Sequence, residues 1–414
     1  MSTNGMQYDV IVIGGGAAGM MATGRAAELG KRVLLLEKNR ELGKKLGITG
    51  GGRCNITNAE EDAHVFLQNY DHASKYLHSP FSQFGVPETF DFFESRHLPL
   101  VTEARNRVFP KTQSSADVVK IMKQYAAQSG VTIKTGVRVQ GFELKEGHIH
   151  AVKTNDGTFT GKAFVLATGG MSHQDTGSTG EGISWLSDLG HKTFAPNPDI
   201  VPLMVEEEWV KNISGITLSF MKITFGEGKD RFSRIGKILF THFGVSGPLI
   251  MNCAHKVKTL LRHGHVRAEI DLYPDTEIGT LRRRVLSVFD ENKNKTLKNV
   301  LKEFVPHRMS EAVLLQLDPD VREMKVHSVG KEERHALVAR LKAMPLTITG
   351  TMGYDWAVVS DGGIDLDEVD MKAMRSKKYS NLYLTGDVLN IHRPSGGFSL
   401  QLCWTTGWIA GNNA

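Results

Sequence analysis

The chain is 414 residues long, 40% apolar and mildly basic, with a formal net charge of +5. Its 43 glycines against 13 prolines exclude collagen-like and low-complexity classes, and at roughly 150 residues per domain the length suits two or three domains. No stretch of about 18 apolar residues offers a membrane span, and Cys54, Cys253 and Cys403 form no C-x-x-C pair, which argues for a reducing compartment and against a disulfide relay.

The first residues lack the basic-then-apolar pattern of a signal peptide, so a soluble cytoplasmic protein is the simplest expectation. Tyr8–Ile13 is too apolar for an exposed strand and reads as a central, buried, parallel one. It runs into Gly14-Gly15-Gly16-Ala17-Ala18-Gly19, a G-x-G-x-x-G at a strand-to-helix junction. Gly14 allows the tight turn, Gly16 lets the backbone touch a diphosphate, and Gly19 lets helix and strand pack closely. The helix Ala17–Leu29, ended by Gly30, aims its free N–H groups, those of Ala17 and Ala18 included, at that diphosphate. The next strand, Val33–Leu36, ends on Glu37, where a carboxylate can accept from a ribose diol and would repel a 2′-phosphate. Lys38 follows as a further cofactor candidate.

Between Glu37 and the next helix lies an irregular run, Gly43-Lys44-Lys45-Leu46-Gly47-Ile48-Thr49-Gly50-Gly51-Gly52-Arg53-Cys54-Asn55-Ile56-Thr57-Asn58. A helix capped at Ser114 or Ser115 precedes three short strands, Val131–Thr135, Val137–Phe142 and His148–Thr154, with Asn155-Asp156-Gly157 as a hairpin turn. Ala163–Ala167 then returns as a strand to Thr168-Gly169-Gly170, so Thr168 and Gly169 join the cofactor candidates.

From Pro196 the pattern changes. Leu218–Phe225, Lys237–Thr241 and Arg267–Leu272 alternate like antiparallel strands, and Ser246 and Pro248 suit the cap and first turn of a helix. From Asp275 to Met344 the pattern turns helical, with Pro306 and Pro319 as punctuation. Arg282, Arg283, Arg284, Lys293, Lys295, Lys298 and Lys302 there face only Asp290 and Glu291. That is either a solvated helix surface or an electrostatic footprint for nucleic acid, the first being the plainer reading. The expected division is 1–195 with 350–414, then an inserted β-rich domain 196–274 and a helical subdomain 275–349.

Near the finish, Leu382-Tyr383-Leu384-Thr385-Gly386-Asp387 leads to Gly396-Gly397-Phe398 and a last helix, Gly397–Ala410. Gly386 and Asp387 stand where flavoproteins place an acid on a ribityl hydroxyl, although a helix-capping Asp reads the same way. Gly397 and Phe398 open the helix, whose unpaired N–H groups can face the flavin N1–C2=O edge and so tune its potential. A Rossmann enzyme for free NAD has no need of a chain that returns to its own first domain. A protein that holds FAD does, because the flavin lies far from the adenine. No metal site is expected.

These motifs resemble one family over nearly the whole chain: the bacterial NAD(P)/FAD-dependent oxidoreductases that include aminoacetone-oxidase-like and bile-acid ene-reductase-like flavoproteins. The Gly50–Asn58 run is the most specific match, joined by Gly177-Ser178-Thr179-Gly180, Leu239–Pro248 and the Gly386–Gly397 end. The resemblance implies an α/β fold with a Rossmann-like FAD-binding domain of the glutathione-reductase class. A β-rich domain with a helical subdomain interrupts it, as a lid over the flavin. It implies that Gly52, Arg53 and Asn55 lie along FAD and that the backbone near Val139 contacts adenine. Cys54 is either a thiol reacting with the flavin or a small buried residue, and the lack of a partner favours the second. Two places depart from the family: His392-Arg393-Pro394-Ser395, where relatives more often carry an aromatic and a glycine, and Asp361 before Gly362-Gly363. Both would alter the substrate cavity more than FAD binding.

The expected activity is hydride exchange between flavin N5 and a small organic substrate, with FAD carrying the chemistry. NADH or NADPH could serve as a transient donor, entering beside the flavin because no second G-x-G-x-x-G unit exists. His173 and Arg393 are the candidate catalytic groups, one able to move a proton near neutral pH, the other to pair with an acid or polarise a carbonyl. Each reads equally as a hydrogen-bonded loop residue, and His242 is a weaker third. The rival readings are an RNA-modifying flavoprotein, with nucleic acid the less expected partner, and a flavin-holding electron carrier or redox sensor.

Overall fold

The computed structural model describes residues 8–414; the first seven, where no leader pattern was read, lie outside the described residues. The chain forms two compact units, one holding the described residues up to Pro198 together with Tyr354–Ala414, the other Asp199–Gly353. Among the described residues no helix is long and apolar enough to cross a membrane.

The first unit is built on β1 (Tyr8–Ile13), α1 (Ala17–Glu28), β2 (Val33–Glu37), β3 (Val131–Thr135), β4 (Val139–Lys145), β5 (His148–Thr154), β6 (Gly157–Leu166), β7 (Val359–Ile364), β8 (Leu382–Leu384) and α2 (Phe398–Asn413). Five strands run parallel in the order β8-β6-β1-β2-β3. Val10, Ile11, Val12, Leu34, Leu35, Val165 and Leu166 are inaccessible at its centre, which is why these strands read as unbroken apolar runs.

The segment Val131–Thr135, expected to open a meander, is instead the parallel edge of this sheet, paired with β2 from Val33↔Val131 to Glu37↔Thr135. The meander proper is β4-β5-β6, antiparallel, and its first strand starts at Val139 rather than Val137. The cause is local. The N–H groups of Gly136 and Val137 donate to the carbonyls of Asn39 and Glu37, so the chain is held on the end of β2 before it can pair elsewhere. β6 is one continuous strand that serves both sheets.

The last helix packs on the first. A Cβ placed on Gly407 would lie 2.5 Å from the Ala18 carbonyl oxygen, and one on Gly411 2.3 Å from that of Ala22. Glycines facing alanines thus let the two backbones touch, and the Arg25 guanidinium closes the seam on Asn412 Oδ1 at 2.7 and 3.0 Å.

In the second unit, six strands close a barrel in the order Leu203–Val205, Gly244–Ser246, Phe232–Thr241, Thr217–Phe225, Val266–Asp271, Met344–Thr351. The closing strand falls partly within the span expected for the helical subdomain. The helices Ile278–Glu291, His307–Leu315 and Lys331–Lys342 therefore interrupt the barrel between its fifth and sixth strands. Ser246 is still in a strand; Gly247 (φ 95°) caps the helix Pro248–Leu261, with Pro248 in its first turn.

Gly411→Ala is expected to destabilise the protein by about 1–3 kcal/mol through overpacking, although alanine is the better helix former. Thermal unfolding beside Gly279→Ala, where a Cβ meets nothing closer than 3.9 Å, separates the two effects.

Candidate cofactor site

The glycine turn after β1 has the geometry a diphosphate requires. Gly14 has φ 106°, and a Cβ there would meet the Ala167 carbonyl oxygen at 2.5 Å; a Cβ on Gly19 would lie 1.8 Å from the Gly14 oxygen. Strand, turn and helix are therefore in backbone contact. Over Gly16, by contrast, a Cβ would meet nothing within 4 Å, which leaves open space at the start of α1, the helix end that favours an anion.

Glu37 is 8% exposed, and its carboxylate braces this turn. Oε2 accepts from the Gly15 N–H at 2.7 Å and Oε1 from the Asn39 N–H at 2.8 Å. Each oxygen keeps a lone pair for a ribose hydroxyl. The neighbouring Lys38 is spent on Thr179 and Glu181, both at 2.6 Å. Val139 is buried beside this end of β2, where the 136–138 turn places it.

In the signature loop, Leu46–Gly52 is a 3₁₀ turn broken at Thr49, Gly50 and Gly51. Gly52 (φ 85°) has open space where a side chain would be. The Arg53 side chain does not point into that space. It lies 3.9 Å over the Phe109 ring and donates to Glu103 at 2.9 Å and Gln113 at 2.6 Å. Asn55 Oδ1 and Thr168 Oγ1 are buried without a hydrogen-bond partner, a costly state that a polar ligand would relieve. Beside Thr168, Gly169 turns the chain with φ 73°.

Cys54 resolves one open alternative. It is fully buried, and burial pushes its thiol pKa up to about 12, against a weaker pull from Thr49. It stays protonated at neutral pH and lacks the thiolate that reaction requires. Cys403 is raised to about 12 by burial and by Asp387.

At the other end, the Gly386 N–H donates to Thr406 Oγ1 at 3.0 Å, and Asp387 follows it. Arg393 is 1% exposed; it pairs with Asp387 and donates to Ser399 Oγ at 3.1 Å and the Ile391 carbonyl at 2.7 Å. A guanidinium so enclosed holds Asp387 in place and is not presented to a substrate, contrary to the catalytic expectation. A Cβ on Gly397 (φ 104°) would lie 2.2 Å from the Thr57 backbone, so the α2 N-terminus is pressed against the signature loop. The Phe398 side chain turns into the core, 4.9 Å from Phe66, and only its backbone remains at the helix start.

His173 lies in a left-handed turn (φ 47°), its N–H on the Tyr354 carbonyl, and its imidazole makes no hydrogen bond among the described residues. His242 is exposed on the barrel unit. Two groups were not among the site candidates drawn from the sequence. Lys45 donates to Ser172 Oγ at 3.1 Å from a half-buried position. His392 sits with Nδ1 3.2 Å from Asp361 and Nε2 3.7 Å from Asp71. His392 and Asp361 are the two departures from the family pattern, and the fold brings them together.

FAD fits this set: open space over Gly16 and Gly52, orphaned oxygens on Asn55 and Thr168, and helix starts from both ends of the chain. When bound it supplies two-electron hydride exchange at N5.

Comparison with known proteins agrees. A 3-dehydro-bile acid delta(4,6)-reductase of Clostridium scindens is 29% identical over 97% of this chain and 98% of its own. A ribosomal RNA dihydrouridine synthase of Escherichia coli is 25% identical over 97% of this chain and 96% of its own. The fold matches a flavocytochrome c3 fumarate reductase at TM-score 0.55 and 14% identity, over 99% of this chain and 78% of that one. It also matches a 3-ketosteroid-delta4-(5alpha)-dehydrogenase from Rhodococcus jostii at TM-score 0.54 and 13% identity, over 99% and 98%. The family described as HI0933-like protein Rossmann domain matches residues 8–413, and the chain belongs to this family of FAD-binding oxidoreductases.

Proposed function

We propose that the chain adds or removes two hydrogens across a carbon–carbon double bond conjugated with a carbonyl, in a small organic substrate in the cytoplasm. The observation that carries this reading is shared chemistry. Two relatives spanning nearly the whole chain are named for a delta(4,6) reduction of a 3-dehydro bile acid and for the saturation of uridine. Transfer to a disulfide finds no support, because all three cysteines are free and Cys54 is held as the thiol. NADH or NADPH is the proposed donor, entering the substrate cavity beside the flavin.

Saturating such a bond needs a hydride at the β-carbon and a proton at the α-carbon. His392 is the proposed proton donor, because Asp361 orients its ring as a nucleophile–base pair is oriented by a third group. Among the described residues His173 has no such partner. Arg393 acts through Asp387, which would hold a ribityl hydroxyl.

A second reading, reduction of uridine in RNA, draws on the E. coli relative and on the exposed basic residues between Arg282 and Lys302. A gel shift with a ribosomal RNA fragment at about 50 mM salt tests it, since phosphate contacts are strongest there; absence of a shift ends that reading.

Three outcomes are expected. Holoprotein reduced anaerobically is reoxidised by 2-cyclohexen-1-one or 4-androstene-3,17-dione faster than by their saturated counterparts; equal rates refute the enone assignment. Stopped-flow reoxidation of His392→Asn is slower by about 10²–10⁴-fold, the usual share of a general acid. His173→Asn stays near the wild-type rate, and reversal of that order would move the acid to His173.

A further inference from the structure

Lys45 stands on the loop after β2, two residues beyond Gly43, whose N–H donates to the Gly15 carbonyl at 2.9 Å. The loop is thereby fastened to the diphosphate turn. Its lysine side chain reaches the region between Ser172 and Asp387, with Arg393 and Cys403 as further neighbours.

Three other cations of this unit are matched. Lys38 pairs with Glu181, Arg53 with Glu103 and Arg393 with Asp387. Lys45 makes no ion pair within 4 Å among the described residues, and its one hydrogen bond goes to a neutral hydroxyl. Burial pushes its pKa down, with Asp387 pulling the other way. Even a half-buried ammonium without a matched anion is costly, and a fold retains one where an anion arrives.

We propose that Lys45 is a cofactor-holding cation whose ammonium pairs with an anionic oxygen of FAD. That oxygen belongs to the diphosphate, charged in both redox states, or to the N1–C2=O edge, charged only on reduction. The assignment rests on FAD binding alone, so the enone assay can fail without touching it.

The test uses apoprotein prepared from purified holoprotein, with Lys45→Gln, Lys45→Met and Lys45→Arg, and the exposed neighbour Lys44→Gln as control. FAD affinity is read by fluorescence titration and the midpoint potential by dye equilibration, with circular dichroism confirming the fold. If the partner is the diphosphate, the Gln and Met variants bind oxidised FAD at least about tenfold more weakly, the loss of a charge-assisted hydrogen bond, at unchanged potential. If it is the flavin edge, oxidised affinity holds and the reduced form loses about tenfold, a drop of about 30 mV for a two-electron couple. Lys45→Arg recovers most of either loss, and Lys44→Gln shows none. Folded variants with wild-type affinity and wild-type potential would overturn the proposal.

Discussion

The contact between α1 and α2 is what the rest of the cofactor unit depends on. A dinucleotide longer than one βαβ motif has to be gripped at two distant places, and here those places come from opposite ends of the described chain. Only backbone-to-backbone packing brings them close enough, and it needs Gly407 and Gly411 against Ala18 and Ala22. Through that seam the Gly14–Gly19 turn and the Gly386–Asp387 corner become parts of one rigid body. The Gly386 Cβ direction points at the Ala18 methyl, 3.3 Å away, so the corner is set by the same helix that begins the diphosphate turn.

Around this frame the charges are arranged in closed pairs. A buried guanidinium beside a half-buried carboxylate, as in Arg393 and Asp387, is a poor source of stability but a strong source of position, since removing either partner strands the other. The same holds in milder form for Lys38 with Glu181 and Arg53 with Glu103. Lys45 has no such partner among the described residues, and the protonated Cys403 thiol near it leaves the local balance of charge to the ligand.

The adenine end was legible in the sequence because glycine spacing encodes backbone geometry directly. Gly14 and Gly19 make the tight, close-packed turn that their spacing implies, and Glu37 ends β2 and hydrogen-bonds that turn. Long polar side chains were not legible. Arg53, Lys38 and Arg393 carry chemistry suited to a cofactor or substrate, but which partner each one meets depends on residues 50, 143 and 6 positions away. The edge strand β3 was misread for a related reason: a short alternating run fits a meander and a sheet edge equally, and the hydrogen bonds from Gly136 and Val137 decide between them. Asp361 and His392 stood out in the sequence as oddities 31 positions apart; that they touch is a property of the fold.

The interrupted barrel has a consequence for how the protein is made. Leu203–Val205 and Val266–Asp271 both hydrogen-bond to Met344–Thr351. During synthesis each waits with an open edge while the intervening helices emerge at roughly 5–20 residues per second. The unit thus passes through a stage of several seconds in which two unpaired strand edges face the crowded cell. A rare-codon tract or a starved ribosome within residues 272–343 would lengthen that interval and favour aggregation over barrel closure.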